Sequence, residues 1–283
     1  TLAVGAAGVG VAAYAARKSE DKPSSARFAA VTALIFALQM LNYPVQNGTS
    51  GHLVGAMLGV GLLGIPFAVL SMSIVLAVQA FFFGDGGVNA LGANILNMAF
   101  IGAGLMGFAF NKAVKAGLNQ KVSLAVASLL SVLAGAMACS IEVAVSGAVA
   151  FDKVTPAMLS VHTLIGLGEA VLTIAVVTVL QGAERYWKTN EQSFALGAGV
   201  LAVVAAALSP FASAFPDGLE WVAERLSFAQ FSGFEISAML RDIYSKKGIE
   251  FQLNAKVIKI DGNKVVFEKD GNTEIVEGEN ILV

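Results

Sequence analysis

Long apolar stretches alternate with short polar ones along this chain, and their lengths define its elements. Apolar runs occupy residues 1–16, 27–43, 52–64, 66–83, 90–111, 121–147, 156–182 and 193–209. An α-helix rises about 1.5 Å per residue, so about 20 residues cross a bilayer, with a workable range of about 17–25. Most of the runs qualify. Residues 52–83 are too long for one span and short for two, with Pro66 near the middle. Proline has no N–H to donate and crowds the preceding turn. The pattern therefore predicts two helices broken at Gly64-Ile65-Pro66, the first short and incompletely spanning. About eight transmembrane helices are expected in all. Gly55, Gly59, Gly102, Gly104, Gly107, Gly166 and Gly168 lie within the runs, where small residues let helix backbones approach closely.

Composition agrees with the pattern. Of 283 residues 56% are hydrophobic and 13% charged, against about 25% charged in soluble domains. Mean hydropathy is +0.73. The fold class is an all-α polytopic membrane protein, with the lipid bilayer as its solvent. A net charge of −2 argues against a nucleic-acid partner, and the single Cys139 excludes an intrachain disulfide. The chain opens on Thr1, so its natural start is expected to lie upstream. Residues 1–16 carry no basic leader and read as a span, not a signal peptide.

Basic residues test the helix count. With eight spans and an outside N-terminus, the loops at 17–27, 112–121 and 183–192 face the cytoplasm. They hold Arg17, Lys18, Lys22, Arg27, Lys112, Lys115, Lys121, Arg185 and Lys188, and the opposite loops hold only Lys153 and Arg225. This is the positive-inside bias. A single span over 52–83 would weaken it, so the broken helix is preferred.

Charge density changes abruptly near 228–234. Residues 234–283 carry 7 Lys/Arg and 9 Asp/Glu, leaving 11 and 11 for the preceding 233 positions. Glu235 to Leu240 reads as a short helix and 248–251 as a strand. Residues 256–260 and 264–268 alternate like a hairpin around Asp261-Gly262-Asn263, and Asp270-Gly271-Asn272 turns into 273–276. A short α+β fragment of 234–283 is thus joined to the membrane part.

Polar groups inside the apolar part are the candidate chemistry. His52 ends the uncharged, glycine-punctuated segment 43–53, at the mouth of the next run. It invites a ligand or an ion; alternatively Thr49 or Ser50 caps a helix and His52 is an interfacial side chain. Glu142, His162 and Glu169 lie within late spans, where ionisable groups are costly and face the bundle interior. His162 and Glu169, seven apart, share a helix face. They form either a functional cluster or hydrogen-bonded glue between helices. The loop 83–94, with Asp85, Asn89 and Asn94 among its glycines, is richer than a turn requires and reads as substrate-covering or metal-supporting.

Four stretches carry a resemblance: 42–53, 84–98, 139–147 with Glu142, and Val161-His162-Thr163-Leu164-Ile165-Gly166-Leu167-Gly168-Glu169-Ala170. In order and spacing, residues 1–182 resemble the substrate-binding membrane subunit of energy-coupling-factor nickel/cobalt transporters. Residues 183–192 are then a linker. Residues 193–228, with Pro216-Asp217-Gly218-Leu219-Glu220, resemble part of the small accessory subunit fused to it in some members. The resemblance implies uptake of Ni²⁺ or Co²⁺ as substrate across the cytoplasmic membrane of a prokaryote, with no organic cofactor. It implies separate ATPase subunits and a coupling transmembrane subunit as partners, and no enzymatic activity of this chain. The implied ligands are the N-terminal amine, the next backbone amide, a histidine at position two and His52. The implied Met-His-Ile-x-Asp-Gly segment is not in this sequence, so weak metal binding is expected of the chain as given. Supporting roles are implied for Thr49, Ser50, Asp85, Asn89, Asn94, Glu142, His162 and Glu169. The tail resembles the interior of the NAD-binding domain of pyridine-nucleotide disulfide oxidoreductases, without its glycine-rich turn or CxxxxC pair, and is expected to be foreign. The competing classes are a non-binding structural membrane subunit and a membrane-tethered redox protein.

Overall fold

The computed structural model of the chain describes residues 2–45, 49–187, 191–213, 215–226, 256–261, 264–269 and 272–277. The chain divides into two compact units, Thr1–Ala229 and Gln230–Val283.

The first unit is helical. Its elements are α1 (Leu2–Lys18), α2 (Ser25–Gln39), a short hairpin β1 (Tyr43–Pro44) and β2 (Ser50–Gly51), α3 (Ala56–Leu63) and α4 (Ile65–Val78). A π-helical turn, Gln79–Phe83, extends α4. Next comes one continuous helical path of α5 (Gly87–Asn94), a π-helical stretch Ile95–Leu105 and α6 (Met106–Lys115). Then follow α7 (Gln120–Val145), α8 (Phe151–Trp187), α9 (Glu191–Leu208) and α10 (Gly218–Arg225). Helical paths thus occupy the eight predicted runs. Among the described residues, five are long and apolar enough to cross a membrane: Ile65–Phe83, Gly87–Lys115, Gln120–Val145, Phe151–Gly182 and Glu191–Phe211. The expected count of about eight spans is therefore not met by length alone. Helices α1, α2 and α3 have 17, 15 and 8 residues.

The predicted break at Gly64 is present. Gly64 has φ +81°, a left-handed conformation open to glycine, and Pro66 sits in the first turn of α4, where no N–H is needed. The chain reverses there, and side-by-side pairs show the result. Phe28 meets Phe67 edge-on at 6.3 Å, the Thr32 and Ser71 hydroxyls lie 2.9 Å apart, and Gln79 Nε2 donates to Gln39 Oε1 at 2.7 Å. The pairs advance together along both helices, so α2 and α4 run parallel and α3 is the antiparallel link between them. α3 is about 12 Å long, and in the chain before it Thr49, Ser50, Gly51, Leu53 and Gly55 are buried while His52 is half-buried.

Two apolar clusters hold the unit. The larger includes Val31, Leu34, Ile35, Leu53, Met57, Leu58, Met72 and Val75 from α2, α3 and α4. The smaller joins α7 and α8 (Val132, Met158, Val161, Ile165) to Val222 of α10, which is fully buried. At the end bearing most of the basic residues, Arg27 ties three elements together. It pairs with Glu191 of α9 at 2.8 Å, donates from Nε to Leu62 O at 3.2 Å, and stacks over the Phe194 ring. Val171, Val179, Val200 and Val203 face outward, as lipid contact requires.

The second unit contains an antiparallel meander of β3 (Lys256–Asp261), β4 (Lys264–Lys269) and β5 (Asn272–Glu277). Asp261 pairs with Lys264 across the first turn and Lys269 with Asn272 across the second, with a bulge between Val257 and Lys259. These are the three predicted strands. The predicted helix at 235–240 and strand at 248–251 lie outside the described residues.

Candidate functional site

The hairpin before α3 presents His52. Tyr43 pairs with Gly51 and Pro44 with Ser50, and Val45 N donates to Thr49 O at 2.9 Å. A side chain at Gly51 would come within 2.9 Å of Ile165 on α8, so only glycine lets the hairpin lie this close. The chain then enters α3 through Gly55, whose φ of +79° is again left-handed. Thr49 and Ser50 do not cap this helix: its N-cap is Gly55, with no side-chain cap bond. Ser50 Oγ donates instead to Phe215 O at 2.7 Å, and buried Thr49 Oγ1 has no hydrogen-bond partner among the described residues.

The first N–H groups of a helix lack intrahelical acceptors and are costly to leave bare in an apolar interior. Glu169 on α8 takes them. Its Oε2 accepts from Val54 N at 2.6 Å and its Oε1 from Gly55 N at 2.9 Å, and the residue is fully buried. On the other side of the same peptide, Gln39 Nε2 donates to Val54 O at 2.6 Å and is held by Gln79. Glu169, Gln39 and Gln79 form a buried clamp two residues from the imidazole. Glu169 thus joins α8 to the start of α3, two residues from His52.

Ser213 and Pro216 lie along the hairpin. Ser213 N donates to Asn42 O at 2.7 Å and Ser50 N to Pro216 O at 2.8 Å. Asp217 opens α10 in a capping box: its Oδ1 accepts from Glu220 N at 2.8 Å, and Glu220 Oε2 accepts from Asp217 N at 3.1 Å. The other carboxylate oxygen, Oδ2, stands 4.0 Å from His52 Nε2, with both side chains about a third exposed. His52 Nδ1 lies 3.3 Å from Leu53 O. A carbonyl only accepts, so this contact is a hydrogen bond in the forms with a proton on Nδ1, and Nε2, as lone pair or as N–H, faces Asp217. His162 is fixed the same way, Nδ1 donating to Met158 O at 2.7 Å, and its ring packs beneath Gly218. Burial, and then the nearby charges of Asp217, Asp85 and Glu224, raise the Glu220 carboxyl above its usual value, against the pull of the Asp217 N–H bond.

The structure therefore brings His52, His162 and Glu169 together with Asp217 and Glu220. Asp85 enters through its field on Glu220, while its N–H donates to Gln79 O. Glu142 is held apart from the clamp, accepting from Asn97 Nδ2 at 2.9 Å in the π-helical stretch. Asn94 packs against the left-handed Gly86 turn, and Asn89 is exposed on the first turn of α5. Among the described residues, no three His, Cys, Asp or Glu side chains form a group that could hold a metal ion by themselves. Gln39, Gln79 and Asp217 were not singled out by the sequence. Asp217-Gly218-Leu219-Glu220 does carry the Asp-x-x-Glu capping signature; nothing local marks the glutamines.

Residues 1–187 match the family described as the cobalt uptake substrate-specific transmembrane region. The chain belongs to this family. Residues 192–246 match the PDGLE domain, which contains the capping box of α10. Among curated relatives, the "Putative fused nickel transport protein NikMN" of Archaeoglobus fulgidus is 36% identical over 206 residues, covering 71% of this chain and 68% of that protein. The fused nickel transport protein NikMN of Rhodobacter capsulatus is 33% identical over 171 residues, covering 54% of this chain and 49% of its own length. A crystal structure described as a transition metal transporter shares 33% identity at a TM-score of 0.57, covering 65% of this chain and 88% of that one. A truncated transition metal transporter aligns at 0.56, with 64% and 92% covered. The cobalt-uptake match ends where α8 ends, and the PDGLE match begins with α9.

Proposed function

We propose that this member of the cobalt uptake family captures Ni²⁺ or Co²⁺ as substrate at His52 and delivers it inward. It acts as the substrate-binding component of an energy-coupling-factor transporter. The observation that carries the reading is the clamp of Glu169 and Gln39 on the Val54 peptide, which spends buried polar groups on holding one imidazole in place. Imidazole nitrogen suits Ni²⁺ and Co²⁺, whereas Mg²⁺ and Ca²⁺ take oxygen ligands. Residues 1–182 are the capturing part, 183–192 a connection and 193–228 the accessory part, whose family match runs on to 246; the remainder of 234–283 is a separate piece. The chain lies in the cytoplasmic membrane of a prokaryote, with the Arg17, Lys18 and Lys112 end inside and the His52 end outside. ATPase subunits and a coupling membrane subunit complete the transporter. Support for a membrane-embedded metal carrier comes from the family, from relatives named for nickel and cobalt transport, and from the apolar helices.

Uptake of radiolabelled Ni²⁺ and Co²⁺ by cells making the transporter, together with calorimetry on the purified protein carrying the Met-His-Ile-x-Asp-Gly segment, tests this. His52→Ala should abolish saturable uptake and tight binding while the protein still inserts. Uptake and binding equal to the parent's would refute the assignment.

A further inference from the structure

The PDGLE segment does more than lie against the hairpin. The two oxygens of Asp217 have separate tasks. Oδ1 is committed to the Glu220 N–H, which fixes the carboxylate at the start of α10. Oδ2 is directed across a 4.0 Å gap at His52 Nε2. In the neutral ring that nitrogen carries the lone pair if Nδ1 donates to Leu53 O. A proton on Nε2 makes the two side chains an ion pair, and a divalent cation seated on Nε2 in its place is drawn to the same carboxylate oxygen. Bonds from a first-row divalent metal to imidazole nitrogen and carboxylate oxygen are about 2.0–2.2 Å each, so across a 4.0 Å gap a cation on Nε2 has Oδ2 close beside it.

The approach is built, not incidental. Gly218 follows Asp217, and a Cβ there would meet His162 Cε1 and Ile165 Cδ1 at 2.9 Å. Glycine at this position lets α10 seat low enough for Asp217 to reach the imidazole. Val222, fully buried against Val154, Met158 and Val161, anchors the same helix from its other turn.

We propose that Asp217 of the PDGLE segment is part of the metal-capture site, its Oδ2 facing the divalent cation held on His52 Nε2. The proposal rests on the reading of His52 as a substrate ligand. The accessory segment then contributes an anionic group to the cation's surroundings besides covering the hairpin.

The experiment separates the charge from the cap. Asp217→Asn and Asp217→Ser both keep an oxygen able to accept from the Glu220 N–H, and both remove the carboxylate beside His52. Asp217→Ala removes both. Ni²⁺ affinity of the full-length protein is measured by calorimetry, and the melting midpoint is measured without metal. Asn and Ser should each weaken Ni²⁺ binding about 10–100-fold, the range for lost partners of metal-binding histidines. Their metal-free melting midpoints should not fall below the parent's, since the acceptor for the Glu220 N–H is kept and the charge beside Glu220 is removed, and only Ala should lower it. Parent-like affinity in Asp217→Asn would overturn the proposal. So would losses of affinity that track the melting midpoint across the three variants, since the cap alone would then explain them. His52→Ala in parallel keeps the two readings apart: loss of binding there with none in Asp217→Asn refutes only the role of Asp217. Undiminished binding in His52→Ala refutes the capture site itself.

Discussion

Glu169→Gln is the sharpest probe of how the His52 segment is held. In the native chain two carboxylate oxygens accept the two N–H groups of Val54 and Gly55, at 2.6 and 2.9 Å, in a fully buried place. Glutamine is nearly the same size but offers one acceptor. Its NH₂ would face the second N–H, donor against donor. Losing the partner of a buried donor costs about 1–3 kcal/mol, and the remaining bond loses the added strength of a charged acceptor. If that cost falls on the 52–55 segment alone, it lowers metal affinity by about 5–150-fold, at about 1.4 kcal/mol per tenfold. If it falls on the whole fold, the melting midpoint drops instead. Amide hydrogen exchange at Val54 and Gly55 distinguishes the two, because local opening speeds exchange there while exchange in the α2 and α4 core stays slow. Glu169→Ala should be worse than Gln, since both donors are then bare. A Glu169→Gln protein that exchanges, melts and binds metal like the parent would show that the clamp does not position His52.

Two other substitutions probe the same region. Gly55→Ala should destabilise by at least about 1–2 kcal/mol, the cost of a left-handed conformation with a Cβ. The new methyl would also press on Ile35 at 2.9 Å, and chemical denaturation in detergent measures the loss. Glu220→Gln should stabilise the protein at neutral pH, because it keeps an acceptor for the Asp217 N–H and removes a half-buried charge beside Asp217 and Asp85. A carboxyl raised on folding favours the folded state only while protonated and costs stability as pH climbs through its folded value. The advantage of Gln should therefore be full above that value and vanish below about pH 4, where Glu is neutral folded or unfolded. Melting curves across pH check the sign, and an advantage that grew on acidification would be wrong in direction.

What the sequence determined by itself is whatever depends on near neighbours. Run length and rise specify where helices lie, and Gly64 beside Pro66 marks the reversal because φ and a missing N–H are properties of single residues. The antiparallel pairing of 256–261, 264–269 and 272–277 is legible for the same reason. His52, Glu142, His162 and Glu169 stood out because polar groups are expensive in an apolar run, and that cost is visible without a structure. Their partners were not visible. Thr49 and Ser50 looked like caps by position, yet the donors they would have served went to Glu169, more than a hundred residues away on another helix. Gln39 and Gln79 sit at the ends of apolar runs, where a polar residue ordinarily meets water. Only the parallel packing of α2 and α4 buries both, turning Gln39 onto the Val54 carbonyl and Gln79 onto Gln39. Asp217 stood in the resembling stretch 216–220, with nothing in the sequence to show that its second oxygen faces His52. An orphan N–H or a lone pair accepts whichever partner packing delivers, and no periodicity encodes that choice. Tertiary structure alone decided which polar groups met, and so converted isolated costly residues into a held imidazole with a carboxylate across from it.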